Sequence, residues 1–282
     1  MSAFPRTSIE GLSVPRMIIG TNWFLGFSHT SKAQDDFLKR TQTPKRIADV
    51  MEVFLGAGID AVMAQGQDPR LQEAIKHAED RTGQKLILLS TPHLPNLGDD
   101  PQAMGEVERL FDAEAAIGAS VCMPHQCSTD ALLDRRSRTI RNMDRYCAMM
   151  RERGLIPGLS THMPEAIGYA DATNLDVGIY IQLYNAIGFL MQVEVDWVHG
   201  IIQNAAKPVI AIKPMAAGRL QPLPGLAFAW STLRDRDMVC VGTMTPDEAR
   251  EVIDISLALL EKRRPTVELQ RTRSKSSIEA PK

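Results

Sequence analysis

Three histidines each follow directly after a short apolar run. They are His93 in STPH, His125 in CMPH and His162 in LSTH, and the chain has only six histidines. Imidazole can act as a general acid or base near neutral pH because its ordinary pKa is about 6.5. Three converging imidazoles can also bind one zinc, iron or manganese ion and leave a coordination position open. The pattern predicts acid–base chemistry or a divalent transition-metal centre, and a structural role for each histidine is the third interpretation.

A lysine, Lys213 in AIKPM, follows a later apolar run. An amine held among apolar walls can lose its proton and attack a carbonyl group as a Schiff-base nucleophile. A charged lysine can instead hold a substrate carboxylate or phosphate, which requires no change in its pKa. We expect Lys213 to act on the substrate in one of these two ways.

These residues belong to a regular alternation of apolar runs and longer segments of helical period. Such alternation is typical of parallel sheets built from strand–helix units. Eight runs are present, at Met17–Gly20, Ala61–Ala64, Leu86–Leu89, Ser120–Met123, Ile156–Leu159, Val177–Leu183, Val209–Ile212 and Met238–Val241. Eight units in 282 residues predict a single (β/α)8 TIM barrel, whose active site lies at the carboxyl ends of the strands.

Polar side chains follow every run, and a barrel would gather them at its mouth. Besides the three histidines and Lys213, the candidates for substrate binding are Asn22, Trp23, Gln65, Gln182, Asn185, Arg219 and Thr243. Amide, hydroxyl and guanidinium groups can hydrogen bond to substrate oxygens. The loops Ala216–Arg219 and Gly242–Thr245 follow the last two runs, where barrels often bind phosphate. Cys122 and Cys127 flank His125, but a cysteine nucleophile is the weaker interpretation because Cys122 lies within an apolar run.

The segments between the runs predict the outer helices and two irregular parts. Helical periodicity covers residues 44–57, 105–117, 130–153 and 246–260. Residues 23–42 form a long loop after the first strand, with several aromatic side chains, and we predict a lid over the site. The barrel domain is expected over residues 1–263, and residues 264–282 are expected to form a flexible basic tail.

The composition bounds the partners. A net charge of −2 gives no electrostatic reason to expect nucleic acid or an anionic membrane as partner. No stretch approaches the roughly 18 consecutive apolar residues of a membrane span. The four cysteines show no paired CxxC spacing, which favours a reducing cytoplasm. We therefore expect a cytoplasmic protein with a small-molecule substrate, and the sequence leaves a homo-oligomer open.

Several motifs, in this order along the chain, resemble the aldo-keto reductases. IEGLSVPRMIIGT is similar to the family's N-terminal hairpin and first strand, GAGIDAVMAQG to its second unit and LIPGLSTHMPEA to its fifth. DVGIYIQLYNAIG is similar to the sixth strand, KPVIAIKPMAAGRL to the seventh and GLAFAWSTLRDRDMVCVGTMTPDEA to the last helix and strand. The resemblance covers nearly the whole chain. It implies a barrel with an N-terminal hairpin and NADP-dependent reduction of carbonyl compounds.

The family's catalytic tetrad of Asp, Tyr, Lys and His is matched only by His125. Met63 stands where the aspartate would be, QGQDPRL contains no tyrosine, and Pro92 replaces the lysine. The segment from Gly242 to Arg250 lacks the family's basic phosphate clamp. Because the usual proton donor is missing, our first expectation departs from the family's chemistry.

Three hypotheses follow from these residues. The first is a lyase, isomerase or hydrolase that acts on a small oxygen-rich or carbonyl substrate through the three histidines and Lys213, with a transition metal or no cofactor. The alternative is an atypical NADP-dependent aldo-keto reductase-like oxidoreductase in which His125 or Lys213 assists the carbonyl. A non-catalytic ligand-binding barrel is the third.

Overall fold

Eight parallel strands close into a barrel in the computed structural model, which describes residues 3–267. The barrel strands are β3 (Met17–Gly20), β4 (Ala61–Ala64), β5 (Ile87–Ser90), β6 (Ala119–Cys122), β9 (Ile156–Ser160), β10 (Ile179–Leu183), β11 (Val209–Ile212) and β12 (Met238–Gly242). They pair in this order, and β12 closes the ring by pairing with β3. This confirms the predicted (β/α)8 barrel, with every strand within two residues of its apolar run.

Two antiparallel hairpins accompany the barrel. The first joins β1 (Arg6–Ile9) to β2 (Leu12–Pro15), and the second joins β7 (Leu133–Asp134) to β8 (Thr139–Ile140). Ile9 and Val14 of the first hairpin pack into the same apolar cluster as the barrel interior. The expected N-terminal hairpin is therefore confirmed.

Helices surround the barrel in the described part of the chain. They are α1 (Asn22–Leu25), α2 (Lys32–Thr41), α3 (Pro44–Gly56), α4 (Pro69–Thr82), α5 (Pro101–Ala116), α6 (Gln126–Ala131), α7 (Met143–Glu152), α8 (Glu165–Ala172), α9 (Val195–Asn204), α10 (Pro222–Thr232) and α11 (Pro246–Leu260). A short 3-10 turn covers Ala216–Gly218. Thr43 and Thr245 cap the amino ends of α3 and α11 with their hydroxyl oxygens, each followed by proline at the first helical position.

The single helix predicted over residues 130–153 is wrong. Two short helices, α6 and α7, stand there with the β7–β8 hairpin between them. The Asp134 carboxylate accepts hydrogen bonds from the backbone N–H groups of Arg136 and Ser137, which forms a turn. Arg138 and Asn142 then adopt left-handed backbone angles, with φ of 56° and 59°, which a continuous helix excludes.

The predicted long connection over residues 23–42 is present after the first barrel strand, and most of it is helical. Helix α1 ends at Gly26, whose φ is 83°, and α2 begins after Ser31, whose side chain accepts a hydrogen bond from Gln34. Between the helices, Ser28 donates to Asp35 from both its backbone N–H and its hydroxyl. The connection is therefore an ordered pair of helices beside the barrel mouth.

The core has two layers, and alternation along each strand decides which layer a side chain joins. Ile179 and Ile181 of β10 lie in the cluster inside the barrel. Tyr180 and Tyr184 lie in the larger cluster between the sheet and the helices. A prediction that is wrong by one residue along a strand would therefore assign a side chain to the helical layer instead of the barrel interior.

The end of the chain is described only as far as residue 267. Thr266 and Val267 donate backbone hydrogen bonds to the Asp254 carboxylate of α11. The rest of the predicted flexible tail lies outside the described residues, so that prediction is untested. Within residues 3–267, no helix is long and apolar enough to cross a membrane.

Candidate active site

A cavity of about 890 Å³ opens at the carboxyl ends of the strands. All eight barrel strands, or the residues directly after them, contribute side chains to its wall. The sequence-predicted residues that line it are Asn22, Trp23, Gln65, His93, His125, His162, Lys213 and Thr243. Apolar side chains form much of the remaining wall. The pocket therefore combines an apolar surface with a few convergent polar groups, as is typical of small-molecule sites.

A cysteine joins two of the histidines. The Cys127 Sγ atom lies 3.0 Å from His93 Nδ1 and 3.2 Å from His125 Nδ1. The two imidazole rings stack at a tilt, with centroids 4.1 Å apart. His93 Nε2 lies 2.8 Å from Gln65 Nε2. Four side chains from the ends of β4, β5 and β6 therefore form one continuous polar cluster.

His125 has a fixed orientation because it also begins α6. Its Nδ1 accepts a hydrogen bond from the backbone N–H of Cys127 at 3.4 Å, as an N-cap residue does. An imidazole nitrogen that accepts carries no proton, so the proton of the neutral ring is on Nε2. The cavity-lining ring of His125 can therefore donate a hydrogen bond through Nε2.

Lys213 directly follows β11 and has a strained backbone conformation. Its φ is 58°, and Ala216 and Ala217 also have left-handed φ values of 48° and 53°. Such angles are unfavourable for residues with a Cβ atom, and they cluster at functional sites. Burial lowers the pKa of Lys213 to about 8 because the charged amine is partly removed from water. The amine is therefore mostly protonated at neutral pH and close to its point of titration.

The imidazoles of His125 and His162 stay neutral at pH 7. Burial lowers the pKa of His125 to about 4, and the neighbouring His93 and Lys213 side chains lower it further. Burial likewise lowers the pKa of His162 to about 3, with contributions from Lys213, His125 and His29. These mutual effects indicate that the basic groups lie near one another. Of Lys213, His125 and His162, Lys213 is the one that carries positive charge at neutral pH.

Asp130 holds the loop that carries His162. Its carboxylate accepts a hydrogen bond from the Thr161 hydroxyl at 2.5 Å and from the His162 backbone N–H at 3.1 Å. Burial raises the pKa of Asp130. The carboxylate therefore fixes the strand end from behind, while the imidazole of His162 faces the cavity.

Three predicted substrate-binding residues do not line the cavity. Gln182 is next to Ile181, which faces the barrel interior, so its side chain faces the helices, and among the described residues its Oε1 has no hydrogen-bond partner. The Asn185 amide is bonded to both the N–H and the carbonyl of Phe189. The Arg219 guanidinium lies 4.0 Å from the Phe189 ring centroid. Asn185 therefore holds the loop after β10, and Gln182 lies on the helical side of the strand.

The structure brings two unpredicted residues to the site. The sequence offers Cys127 only as a weaker nucleophile candidate. Its position two residues after His125 is the feature that could have indicated its place in the site. His29 lies in the connection after β3, where strand ends give no signal, and its Nε2 is 3.4 Å from Asn22 Nδ2. His29 also lines the cavity.

The three predicted metal-binding histidines do not form one ligand group. Among the described residues, the group whose donor atoms all lie within 4.8 Å of one another is His93, His125 and Cys127. His162 is outside it. The trio proposed from sequence spacing is therefore corrected, because the strand end at His162 does not approach the other two closely enough.

The part of the cavity beside α11 is acidic. Glu248 and Glu251 line it. The Glu248 carboxylate accepts from the Met244 backbone N–H at 2.6 Å, and the Thr245 hydroxyl accepts from the Glu248 N–H at 3.2 Å, so both side chains cap the start of α11. The nearby Arg250 guanidinium is bonded to Asp247.

No protein-family profile and no curated protein matches this sequence. Solved structures do match. A protein from Pseudomonas aeruginosa proposed to be an aldo-keto reductase superposes with a TM-score of 0.63 at 13% identity, covering 92% of this chain and 97% of that one. An aldo-keto reductase from Brucella melitensis gives 0.58 at 14% identity, covering 92% and 99%. The glycerol dehydrogenase from Gluconobacter oxydans gives 0.56 at 12% identity, covering 95% and 98%.

The chain therefore has the fold of an aldo-keto reductase-like TIM barrel. Our expectation of a lyase, isomerase or hydrolase was wrong. The three structures named above, which share the fold along nearly their whole length, are described as aldo-keto reductases and a glycerol dehydrogenase, and they favour the oxidoreductase alternative. The family's Asp, Tyr and Lys are missing from this chain, but missing residues do not by themselves define another reaction class.

Proposed function

We propose that the protein is an oxidoreductase that interconverts a small carbonyl compound and its alcohol, with NADP(H) as the hydride carrier. The observation that carries the proposal is the placement of Lys213, an amine with a pKa of about 8, at the mouth of an aldo-keto reductase-like barrel. A reductase of this fold needs a proton donor at the mouth. Lys213 supplies one where the family's tyrosine and lysine are missing.

The cavity fits a dinucleotide by size and by its unused polar groups. Its volume of about 890 Å³ is near the upper end of the roughly 300–1,000 Å³ typical of ligand pockets. The hydroxyl of Thr243, in its wall, is buried and has no hydrogen-bond partner among the described residues. A Cβ atom at Gly242 would lie 2.8 Å from Trp23 Cδ1, so glycine permits the indole to lie against this strand end. Trp23, Thr243 and the turn at Ala216–Gly218 would hold the cofactor.

The chain's own residues would handle the proton. When bound, the nicotinamide cofactor supplies the hydride that reduces the carbonyl carbon. His125 donates a hydrogen bond from Nε2 to the carbonyl oxygen, which orients it and stabilises the negative charge that develops. The Lys213 ammonium transfers its proton to that oxygen as the alcohol forms, and solvent protonates the amine again. In the oxidation direction the neutral amine accepts the same proton.

The other side chains of the cavity would select the substrate. Met63, Ile181 and Ile212 give the floor an apolar surface that excludes water from the reacting carbon. Asn22, Gln65, His93 and His162 offer hydrogen bonds to further oxygens of the substrate. We therefore expect a small aldehyde or ketone that carries additional hydroxyl groups. We place the enzyme in the cytoplasm, as the cysteine pattern predicts.

Cofactor binding tests the proposal directly. We expect NADPH to bind saturably to the purified protein, detected by quenching of tryptophan fluorescence and by calorimetry, with NADH measured in parallel. Thr243→Val should weaken NADPH binding, while Thr173→Val, on the outer end of α8, is the matched control. The proposal fails if neither nucleotide binds.

Turnover tests the role of Lys213. Lys213→Met keeps an unbranched side chain but removes the proton donor, and we expect kcat for reduction of the best aldehyde or ketone to fall about 100-fold or more. NADPH binding to the variant should persist, because the proposed loss lies in the chemical step. Unchanged kcat in Lys213→Met would remove the lysine from the mechanism.

A further inference from the structure

We infer that His93, His125 and Cys127 bind one divalent transition-metal ion, with Zn²⁺ as the best fit. Imidazole nitrogen and cysteine thiolate sulfur are ligands that zinc prefers, and catalytic zinc sites use three protein ligands with a fourth position open. The three donor atoms lie within 4.8 Å of one another. This site differs from the sequence-predicted trio, because cysteine replaces His162, and it does not depend on the proposed cofactor.

The separations of the donor atoms suit a metal. Zinc–nitrogen bonds of about 2.0 Å and zinc–sulfur bonds of about 2.3 Å place tetrahedral nitrogen and sulfur ligands about 3.5 Å apart. The two Nδ1–Sγ distances here are 3.0 and 3.2 Å. An opening of about 0.4 Å, well within side-chain rotation, would therefore admit the ion. Side chains of His93 and Cys127 are exposed and that of His125 is half-buried, so an ion can reach them.

The proton count of the cluster also favours an ion. The thiol of Cys127 has one proton, whereas two imidazole nitrogens face its sulfur. Only one of them can accept that proton at a time, and the other must supply a proton of its own or face the sulfur with a lone pair. A metal ion uses the lone pairs of all three atoms, and at His125 Nδ1 it would replace the long 3.4 Å hydrogen bond from the Cys127 backbone N–H. Binding forms one Zn–S and two Zn–N bonds, and the displaced thiol proton passes to solvent.

A supporting residue is in place. His93 Nε2 lies 2.8 Å from the Gln65 side-chain amide. A histidine that binds metal through Nδ1 carries its proton on Nε2, and the carbonyl oxygen of Gln65 accepts that proton once the amide is turned over. Such partners fix the ring and strengthen the ligand. His93 and His125 line the cavity, so the fourth position of the ion is open to water or to a substrate oxygen.

Cobalt titration of the full-length protein, after removal of metals by chelation, tests the site. We expect one equivalent of Co²⁺ to give visible bands of tetrahedral cobalt and a near-ultraviolet thiolate-to-cobalt charge-transfer band, both lost when Zn²⁺ displaces the cobalt. Cys127→Ser should abolish the charge-transfer band. Gln65→Ala should keep the band and weaken the affinity about tenfold, as losses of supporting residues do. Circular dichroism checks that each variant is folded.

Matched controls separate the site from other histidines and cysteines. His162→Gln changes a cavity histidine outside the ligand group, and His77→Gln changes a partly exposed histidine on α4, so both should retain the band and the affinity. A wild-type protein without the charge-transfer band overturns the inference, and so does an equal band in Cys127→Ser. Loss of binding in His162→Gln would overturn the ligand assignment. NADPH titration of the metal-free protein reports on the proposed function separately.

Discussion

Lys213 is the residue on which the proposed chemistry depends, and its pKa makes the reaction sensitive to pH. Burial lowers the pKa of the amine to about 8. The groups whose charge it influences are His29, His125, His162 and Cys240, and burial raises the pKa of Cys240 to about 12, so this thiol stays neutral. Of Lys213, His125, His162 and Cys240, Lys213 is therefore the group that titrates between pH 7 and 9.

We predict opposite pH profiles for the two directions of the reaction. Reduction needs the protonated amine, so kcat for reduction should fall tenfold for each pH unit above about 8. Oxidation needs the neutral amine, so its kcat should rise up to about pH 8 and then level off. Rate profiles from pH 6 to 10 check this. In Lys213→Arg the guanidinium stays charged, and the inflection should disappear; an inflection that persists there would assign it to another group.

At the level of single residues, the sequence reveals part of the site. His93, His125, His162 and Lys213 were predicted correctly to reach the mouth, because a polar residue that ends an apolar strand has few other places to go. Gln182 was misplaced because its neighbour Ile181 takes the inward face, and an entirely buried strand gives no alternation to read. Cys127 was undervalued because its role depends on two imidazoles from different strands, a distance that no local pattern encodes.

Among the elements, helix α11 begins at the acidic end of the cavity and bears on cofactor choice. The side chains of Glu248 and Thr245 already occupy the N–H groups of Met244 and Glu248 at its start. Glu251, one turn further on, lines the cavity. If the loops after β11 and β12 hold the phosphates, as in many barrels, a carboxylate here repels a nucleotide that carries an extra phosphate.

We predict that Glu251→Gln strengthens NADPH binding about fivefold and leaves NADH binding within about twofold. Removing one negative charge near a dianionic phosphate is worth about 1 kcal/mol in a solvent-exposed setting. Fluorescence titrations with both nucleotides measure the two Kd values. Asp247→Asn makes the same charge change at the exposed outer side of the helix start and should alter neither Kd. Equal gains for NADPH and NADH in Glu251→Gln would contradict the argument.

Elements were easier to predict than their connections. The eight strands were found because both faces of each strand are buried, which leaves a short continuous apolar run between helices of clear period. The single helix predicted over residues 130–153 is wrong because the helical spacing of apolar residues continues across a hairpin. Two left-handed residues, Arg138 and Asn142, break the helix there, and neither type marks a break as reliably as glycine or proline.

At the scale of the whole molecule, the barrel must close between its last strand and its first, and a buried ion pair supports that closure. Asp237 is fully buried just before β12, and its carboxylate accepts from the Val209 N–H of β11 and from the Arg234 side chain. Arg234 also donates to the carbonyls of Ala205 and Lys207. Arg16, just before β3, donates to the carbonyls of Asp237 and Arg234. The network joins the starts of β11, β12 and β3.

We predict that Asp237→Ala lowers the free energy of unfolding by about 3–5 kcal/mol. The substitution leaves the Arg234 charge, only 14% exposed, without its carboxylate and leaves the Val209 N–H without an acceptor, and breaking a buried pair from one side costs about this much. Urea unfolding followed by circular dichroism measures the change. Asp235→Asn, two residues away and fully exposed, should stay within about 0.5 kcal/mol of the wild type.

The comparison of the two variants decides whether the closure depends on this network. If Asp237→Ala were as stable as Asp235→Asn, the barrel would be held at this seam by the pairing of β12 with β3 and by its apolar layers alone. A large loss confined to Asp237→Ala would place a polar clamp at the amino ends of the strands, at the opposite end of the barrel from the cavity. Stability and chemistry would then depend on opposite ends of the same strands, so substitutions at the mouth would change activity with little effect on unfolding.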